Sequence, residues 1–110
     1  MEIIPYDKKS GKIWFNGKNI DWSNAKIHIL SHGLHYASSV FEGERVYDRD
    51  VFKLEEHTDR LFYSAKRMGM EVPYSISEIN EATKQIVDVQ KVKNGYVRPI
   101  IWRGSEMMQI

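Results

Sequence analysis

Residues 28–36 read HILSHGLHY, and His28, His32 and His35 stand at i, i+4 and i+7. On a helix that spacing would bring three imidazoles to one face, and neutral imidazole is the commonest protein ligand for metals. Glu42 follows soon after, so zinc is the first chemistry to test. The sequence itself argues against it. The preceding KIHIL is strand-like and Gly33 interrupts the segment, so a regular helix over residues 28–35 is not expected. No H-E-x-x-H is present, and Glu42 falls on the strand face opposite Phe41. The expectation is therefore no metal site, with His32 and His35 satisfied by backbone or carboxylate partners in a turn that positions the next strand. Ser38, Ser39 and Ser64 have neither an adjacent base nor a G-x-S-x-G elbow, which leaves serine nucleophile chemistry without support.

A second group of residues could bind anions. At the strand period of two, Phe41, Gly43, Arg45 and Tyr47 share one side, and Tyr96, Arg98, Ile100 and Trp102 share another. Arginine recurs between aromatics on both. A guanidinium fork grips a carboxylate through two parallel hydrogen bonds, and Gly43 leaves room beside Phe41, so the pattern fits a carboxylate-binding pocket. The pattern equally fits Arg45 and Arg98 on the solvated face of a half-exposed sheet, where they would contribute little. Composition and spacing leave both readings open.

The elements that would position these residues follow from the same pattern. Lys12, Ile13, Trp14 and Phe15 form a short apolar run; Asn16-Gly17 favours a type I′ turn, and Asn19-Ile20 can return antiparallel. Residues 39–47, SVFEGERVY, alternate as a strand that turns through Asp48-Arg49-Asp50 into Val51-Phe52. A helix is expected over residues 54–68, with Leu54, Leu61, Ala65 and Met68 inward, Glu55 and Glu56 at the positive dipole end, and Gly69 as a left-handed cap. Ser75 and Glu78 form an S-x-x-E capping box for a second helix, with Ile79, Ala82, Ile86 and Val89 on one face and an end near Asn94-Gly95. Residues 96–103, YVRPIIWR, supply a last strand, in which Pro99 marks an edge or a bulge. The predicted fold class is α+β: a mainly antiparallel sheet with two amphipathic helices packed on one face.

Composition narrows the partners. The 110 residues carry 16 Lys+Arg against 15 Asp+Glu, a formal net charge of +1, with both signs scattered. Neither nucleic acid nor a membrane surface is expected as a partner. Cysteine is absent, which excludes disulfides and thiol chemistry and permits a reducing compartment. The amino terminus lacks a signal-peptide pattern, and no apolar run reaches the roughly eighteen residues of a membrane span. A cytoplasmic protein with one domain over residues 1–110 is expected, a length that buries roughly two thirds of the unfolded surface.

SHGLHYASSVFEGERVY, EEHTDRLFYSAKRMGM and GYVRPIIWRGSEMM, in that order and spacing, resemble the amino-terminal domain of branched-chain amino acid aminotransferases, the fold-type IV pyridoxal-phosphate transaminases. The phrase LHYxxxVFEG is distinctive of that family. The resemblance implies transamination between leucine, isoleucine or valine and 2-oxoglutarate. It assigns Arg60 to the cofactor phosphate. Phe41 and Tyr96 become pocket walls, and Arg98 helps bind the distal carboxylate of glutamate. Arg45 lies near the cleft, while Tyr36 and Ile110 reach the neighbouring subunit's pocket in a homodimer.

The chain departs from the family where it stops. The larger domain that supplies the cofactor-carrying lysine is not within these residues. Lys53, Lys66, Lys84 and Lys91 do not occupy that lysine's place and read as solvated surface. Gln109 stands where the interdomain loop often has a small residue. The resemblance therefore implies no catalytic residue in this chain, no stable pyridoxal phosphate binding by it alone, and no transamination. A truncated product acting as a non-catalytic binding or oligomerisation module is the alternative. Either reading bares an apolar face carrying Phe41, Tyr96, Ile100 and Trp102, which favours self-association.

Overall fold

The computed structural model describes residues 3–106. Its first element pair is the hairpin of β1 (Lys12–Phe15) and β2 (Lys18–Asp21), with Ile13 opposite Ile20. Asn16 and Gly17 both take positive φ, 48° and 99°, as a type I′ turn demands. The hairpin packs on α3 (Ile76–Val89). Trp14 meets Tyr74 edge-on with ring centroids 5.2 Å apart, and Gln90 Oε1 accepts from Lys12 N at 2.6 Å.

The single strand expected over residues 39–47 is two: β3 (Ser39–Phe41) and β4 (Glu44–Tyr47), with β5 (Asp50–Val51) after a turn. The last strand also divides, into β6 (Gly95–Val97) and β7 (Ile100–Trp102). One continuous sheet is thus replaced by three small antiparallel ones: β1-β2, β3-β7 and β5-β4-β6. Both breaks fall at the same level. Phe41 opposes Ile100 and Glu44 opposes Val97, so a single register runs through both ladders and sets Glu42 opposite Pro99 and Gly43 opposite Arg98. Proline has no N–H to donate there, and the ladder opens around it. Glu42 N still donates to Pro99 O at 3.1 Å. Side-chain alternation survives the break: Glu42, Glu44 and Val46 are buried while Phe41, Arg45 and Tyr47 are exposed.

A short helix not expected from the sequence, α1 (His32–Tyr36), precedes β3 and ends on Ala37 at φ 54°. His32 N and Gly33 N donate to the carbonyls of Gly104 and Arg103 at 2.8 and 3.1 Å. Gly33 is tolerated because a side chain there would crowd Trp102, whose Cβ is 3.2 Å from the place of an added Cβ.

The helix α2 (Leu54–Arg67) follows Lys53 in the left-handed region and is closed by Gly69 at φ 73°. It packs on β3 and on α3. Leu54, Thr58, Leu61 and Ala65 are its buried residues. Met68, expected inward, is 42% exposed, and Met70 is buried in its stead. The capping box of Ser75 and Glu78 opens α3 with both reciprocal hydrogen bonds present. That helix ends at Val89, short of Asn94-Gly95, and Lys91 takes φ 54°. Its buried residues are Thr83 and Val87, so the inward stripe is rotated from the expected one and Val89 is exposed. Buried threonines explain the rotation. Thr83 Oγ1 donates to Ile79 O at 2.8 Å and Thr58 Oγ1 to Asn80 Oδ1 at 2.5 Å, so hydroxyls that look polar in sequence go inside satisfied. Val46, Leu61, Ala65 and Val87 form the centre of the core. Among the described residues, no helix is long and apolar enough to cross a membrane.

Candidate functional site

The exposed face of β3, β4 and β6 gathers most of the predicted pocket residues. Arg45 pairs directly with Tyr96 across the β4–β6 ladder. The Arg98 guanidinium lies 3.7 Å from the Phe41 ring centroid, and its Nη1 donates to the Tyr96 hydroxyl at 3.4 Å. Arg45 sits 5.6 Å from the Tyr47 ring. A Cβ added at Gly43 would come within 2.7 Å of the Tyr96 hydroxyl; glycine is what lets that phenol lie down against the strand. Phe41, Tyr96 and Ile100 are each about half exposed, at 50%, 51% and 49%. Among the described residues, neither Arg45 nor Arg98 has a carboxylate partner. Two free guanidinium groups over an aromatic floor can receive a carboxylate in two-point contact.

The other predicted residues lie elsewhere. Tyr36 stands on α1 with its ring centroid 4.5 Å from that of His32. Ile110 and Gln109 lie outside the described residues. Trp102, expected on the bared face, is only partly exposed because its ring packs on Phe15 at 5.7 Å.

Behind the break between β3 and β4 is a group that the sequence reading missed. Arg60 Nε donates to Glu42 Oε2 at 2.8 Å, and Arg60 Nη2 to Glu42 Oε1 at 2.7 Å. His57 Nδ1 lies 2.7 Å from the same Oε1. Glu42 is 5% exposed, whereas the Arg60 side chain is 67% exposed. The hydrogen bonds from Arg60 hold the Glu42 carboxyl below its usual range against the opposing effect of burial, with His57 helping; Glu42 in turn raises Arg60. Glu44, two residues on and 1% exposed, has no partner for Oε1 among the described residues. Burial pushes its carboxyl up to about 7, His57 pulls it down and Glu42 adds to the rise. A signal for this group was present: period two puts both glutamates on the inward face beside Val46, where a carboxylate must find a cation.

The histidines bind separate partners. His28 Nδ1 accepts from Leu30 N at 3.0 Å, His35 Nε2 donates to Ile29 O at 2.7 Å, and His32 Nδ1 lies 2.6 Å from Ser38 Oγ. Among the described residues, no group of three His, Asp or Glu side chains is arranged to hold a metal ion. Ser38 does have a base beside it, contrary to the sequence reading, because the fold returns His32 to it; both are buried, and the bond ties α1 to β3. Lys53 and Lys84 pair with Glu56 and Glu81 on the surface, and Lys66 and Lys91 are exposed.

Comparison with known proteins gives a consistent picture. The family model described as Amino-transferase class IV matches residues 39–109. The probable branched-chain-amino-acid aminotransferase of Rickettsia felis is 44% identical over 110 residues, covering 100% of this chain and 38% of that protein. The crystal structure of the Escherichia coli branched-chain amino acid aminotransferase superposes with a TM-score of 0.87 at 42% identity, over 92% of this chain and 35% of that one. The crystal structure of the T.th. branched-chain amino acid aminotransferase with pyridoxamine 5'-phosphate gives 0.88 at 40% identity, over 92% and 35%. The chain therefore spans little more than a third of the length of these relatives, and its α+β fold of antiparallel sheets and helices is that of their matched segment.

Proposed function

Since the chain belongs to the class IV aminotransferase family, we propose that residues 1–110 form the small domain of a pyridoxal-phosphate-dependent branched-chain aminotransferase. One observation carries the substrate side: Arg98 is stacked on Phe41 and bonded to Tyr96, with no carboxylate on it among the described residues. On this reading Phe41 and Tyr96 wall an apolar pocket for a branched side chain, and Arg98 receives the distal carboxylate of glutamate or 2-oxoglutarate. Arg45, one ladder pair away from Tyr96, adds positive potential at the same mouth. Tyr36, and Ile110 outside the described residues, would complete the pocket of a neighbouring subunit.

Arg60 fits the cofactor phosphate. Of the five N–H donors of a guanidinium, two go to Glu42, and the rest lie on a side chain that is two-thirds exposed. Pyridoxal phosphate, when bound, supplies the electron sink for proton movement at the substrate Cα. This chain's residues would orient and bind; the lysine that moves the proton would come from the portion of the relatives this chain does not span. The 110 residues alone would then bind the cofactor only weakly and not transaminate. The cysteine-free composition fits a cytoplasmic enzyme. The half-exposed Phe41, Tyr96 and Ile100 also favour a second reading, in which the isolated chain self-associates through this face.

The test is a chimaera in which residues 1–110 replace the matching segment of the Rickettsia felis relative. It should transfer the amino group of leucine to 2-oxoglutarate, and Arg98→Ala should raise the KM for 2-oxoglutarate far more than that for leucine. A folded, cofactor-loaded chimaera without this activity would overturn the proposal.

A further inference from the structure

Building on the phosphate role proposed for Arg60, we infer that Glu42 is its positioning residue: the buried carboxylate clasps one edge of the guanidinium and fixes the other edge toward an anion. An arginine on an exposed helix face otherwise samples many rotamers, and ordering it costs binding free energy at the moment a ligand arrives. Here that ordering is already in place. The fork uses Nε and one hydrogen of Nη2, which leaves Nη1 and the second hydrogen of Nη2 as a parallel pair at the far end, the geometry that suits a phosphate.

The clasp is itself anchored. Glu42 sits at the strand break with its backbone N bonded to Pro99 O at 3.1 Å. Its Oε1 is shared between Arg60 Nη2 and His57 Nδ1, each at 2.7 Å. His57 and Arg60 lie three residues apart on α2, so the carboxylate is held from two points on one helix. The arrangement has the form of an outer-shell contact: Glu42, 5% exposed, faces away from solvent and acts on an anion only through Arg60. A simple structural pair would instead satisfy Arg60 and compete with phosphate for it, and the two possibilities predict opposite effects of removing the charge.

The experiment follows the Arg60 Nε–H signal of the 110-residue chain by nitrogen-15 NMR, assigned by its loss in Arg60→Ala, while pyridoxamine 5'-phosphate is titrated in. Before ligand is added, the wild-type signal should show hindered rotation about the Nε–Cζ bond, and Glu42→Gln should release it. In the chimaera, at a temperature where both variants are folded, the Arg60-dependent affinity for the probe should fall about ten-fold in Glu42→Gln. If that variant does not fold, Glu42→Asp keeps the charge but draws it back by one methylene and should weaken the probe in the same direction. A freely rotating guanidinium in the wild type overturns the inference, as does a probe affinity unchanged or tighter in the Glu42 variants. No Arg60-dependent affinity for the probe in the chimaera removes the phosphate role itself and this inference with it, whereas an Arg60-dependent affinity that survives loss of the clasp removes the inference alone.

Discussion

Arg60 on α2 reaches back to the strand break and closes a two-point fork on Glu42, with bonds of 2.8 and 2.7 Å to the two carboxylate oxygens. An exposed cation is thereby tied to a carboxylate that the sheet has removed from water. The relationship is unequal. Removing the exposed partner leaves a buried charge supported by His57 alone, which is the costly way to break such a pair.

Truncating Arg60 should therefore lower stability more than its exposure suggests. Most exposed side chains change stability little when truncated; Arg60→Ala should lower Tm by several degrees, and Arg67→Ala, in the last turn of the same helix, should barely move it. Thermal unfolding of the two variants side by side checks this. Equal effects would mean that Glu42 finds other support.

The two buried glutamates predict a stability maximum in mild acid. Glu44 has its folded value raised from 4.5 to about 7. Between those values the folded state holds a proton that the unfolded state has lost, so stability falls as pH rises through this window. The span corresponds to at most about 3 kcal/mol, less what solvent screening removes. Glu42 is lowered, so its contribution is complete above 4.5 and is lost as pH falls through its folded value. Urea unfolding across pH 4.5 to 7 should show the decline in the wild type and a flattened curve in Glu44→Gln. A slope that survives the substitution would assign the effect to another group.

Much of the scaffold was legible because local rules and packing agree there. Asn16-Gly17, the Ser75/Glu78 box and the Gly69 cap each specify backbone geometry within a few residues. The strand breaks were not legible in full. Pro99 announced a missing donor, but only the shared register shows that Glu42 and Gly43 lie opposite it. Thr83 shifted the α3 stripe and Thr58 joined the expected α2 stripe unannounced, because a satisfied hydroxyl packs as an apolar residue would. The face of aromatics and arginines was visible in the period-two pattern; the Glu42 clasp was not, since Arg60 and His57 come from α2 and only the packing of that helix on β3 brings them to the strand break.

The inward stripe of α2, which stops before Met68 because the helix ends at Arg67, can be tested directly. Leu61 is 2% exposed and Met68 42%. Leu61→Ala should cost about 2–4 kcal/mol by denaturant unfolding, whereas Met68→Ala should stay within roughly 0.5 kcal/mol. Similar losses at the two positions would restore the stripe expected from the sequence.

Gly43 should matter for binding more than for stability. An added methyl would lie 2.7 Å from the Tyr96 hydroxyl, and Tyr96 is half exposed, so its ring can swing outward at little cost. The swing removes the hydroxyl from Arg98 and opens the aromatic floor. Gly43→Ala should leave Tm nearly unchanged and, in the chimaera, weaken 2-oxoglutarate about ten-fold, as misplacement of a binding group does. A fall in Tm with unchanged KM would point to crowding of the backbone instead.

The bared face should associate, and salt should strengthen that association. Phe41, Tyr96 and Ile100 offer apolar area that self-association would remove from water. Arg45 and Arg98 share the face without carboxylate partners among the described residues. Two copies meeting through this face would bring like charges together, a penalty that added salt screens over about 10 Å at 0.1 M. Sedimentation of the 110-residue chain should show a monomer at low concentration and a dimer at high concentration, with the midpoint moving down as salt rises. Ile100→Lys should keep the chain monomeric, because it adds a third charge and removes part of the apolar contact. A monomer at every concentration and salt would mean that the guanidinium groups outweigh the apolar area and that the face stays open for a ligand.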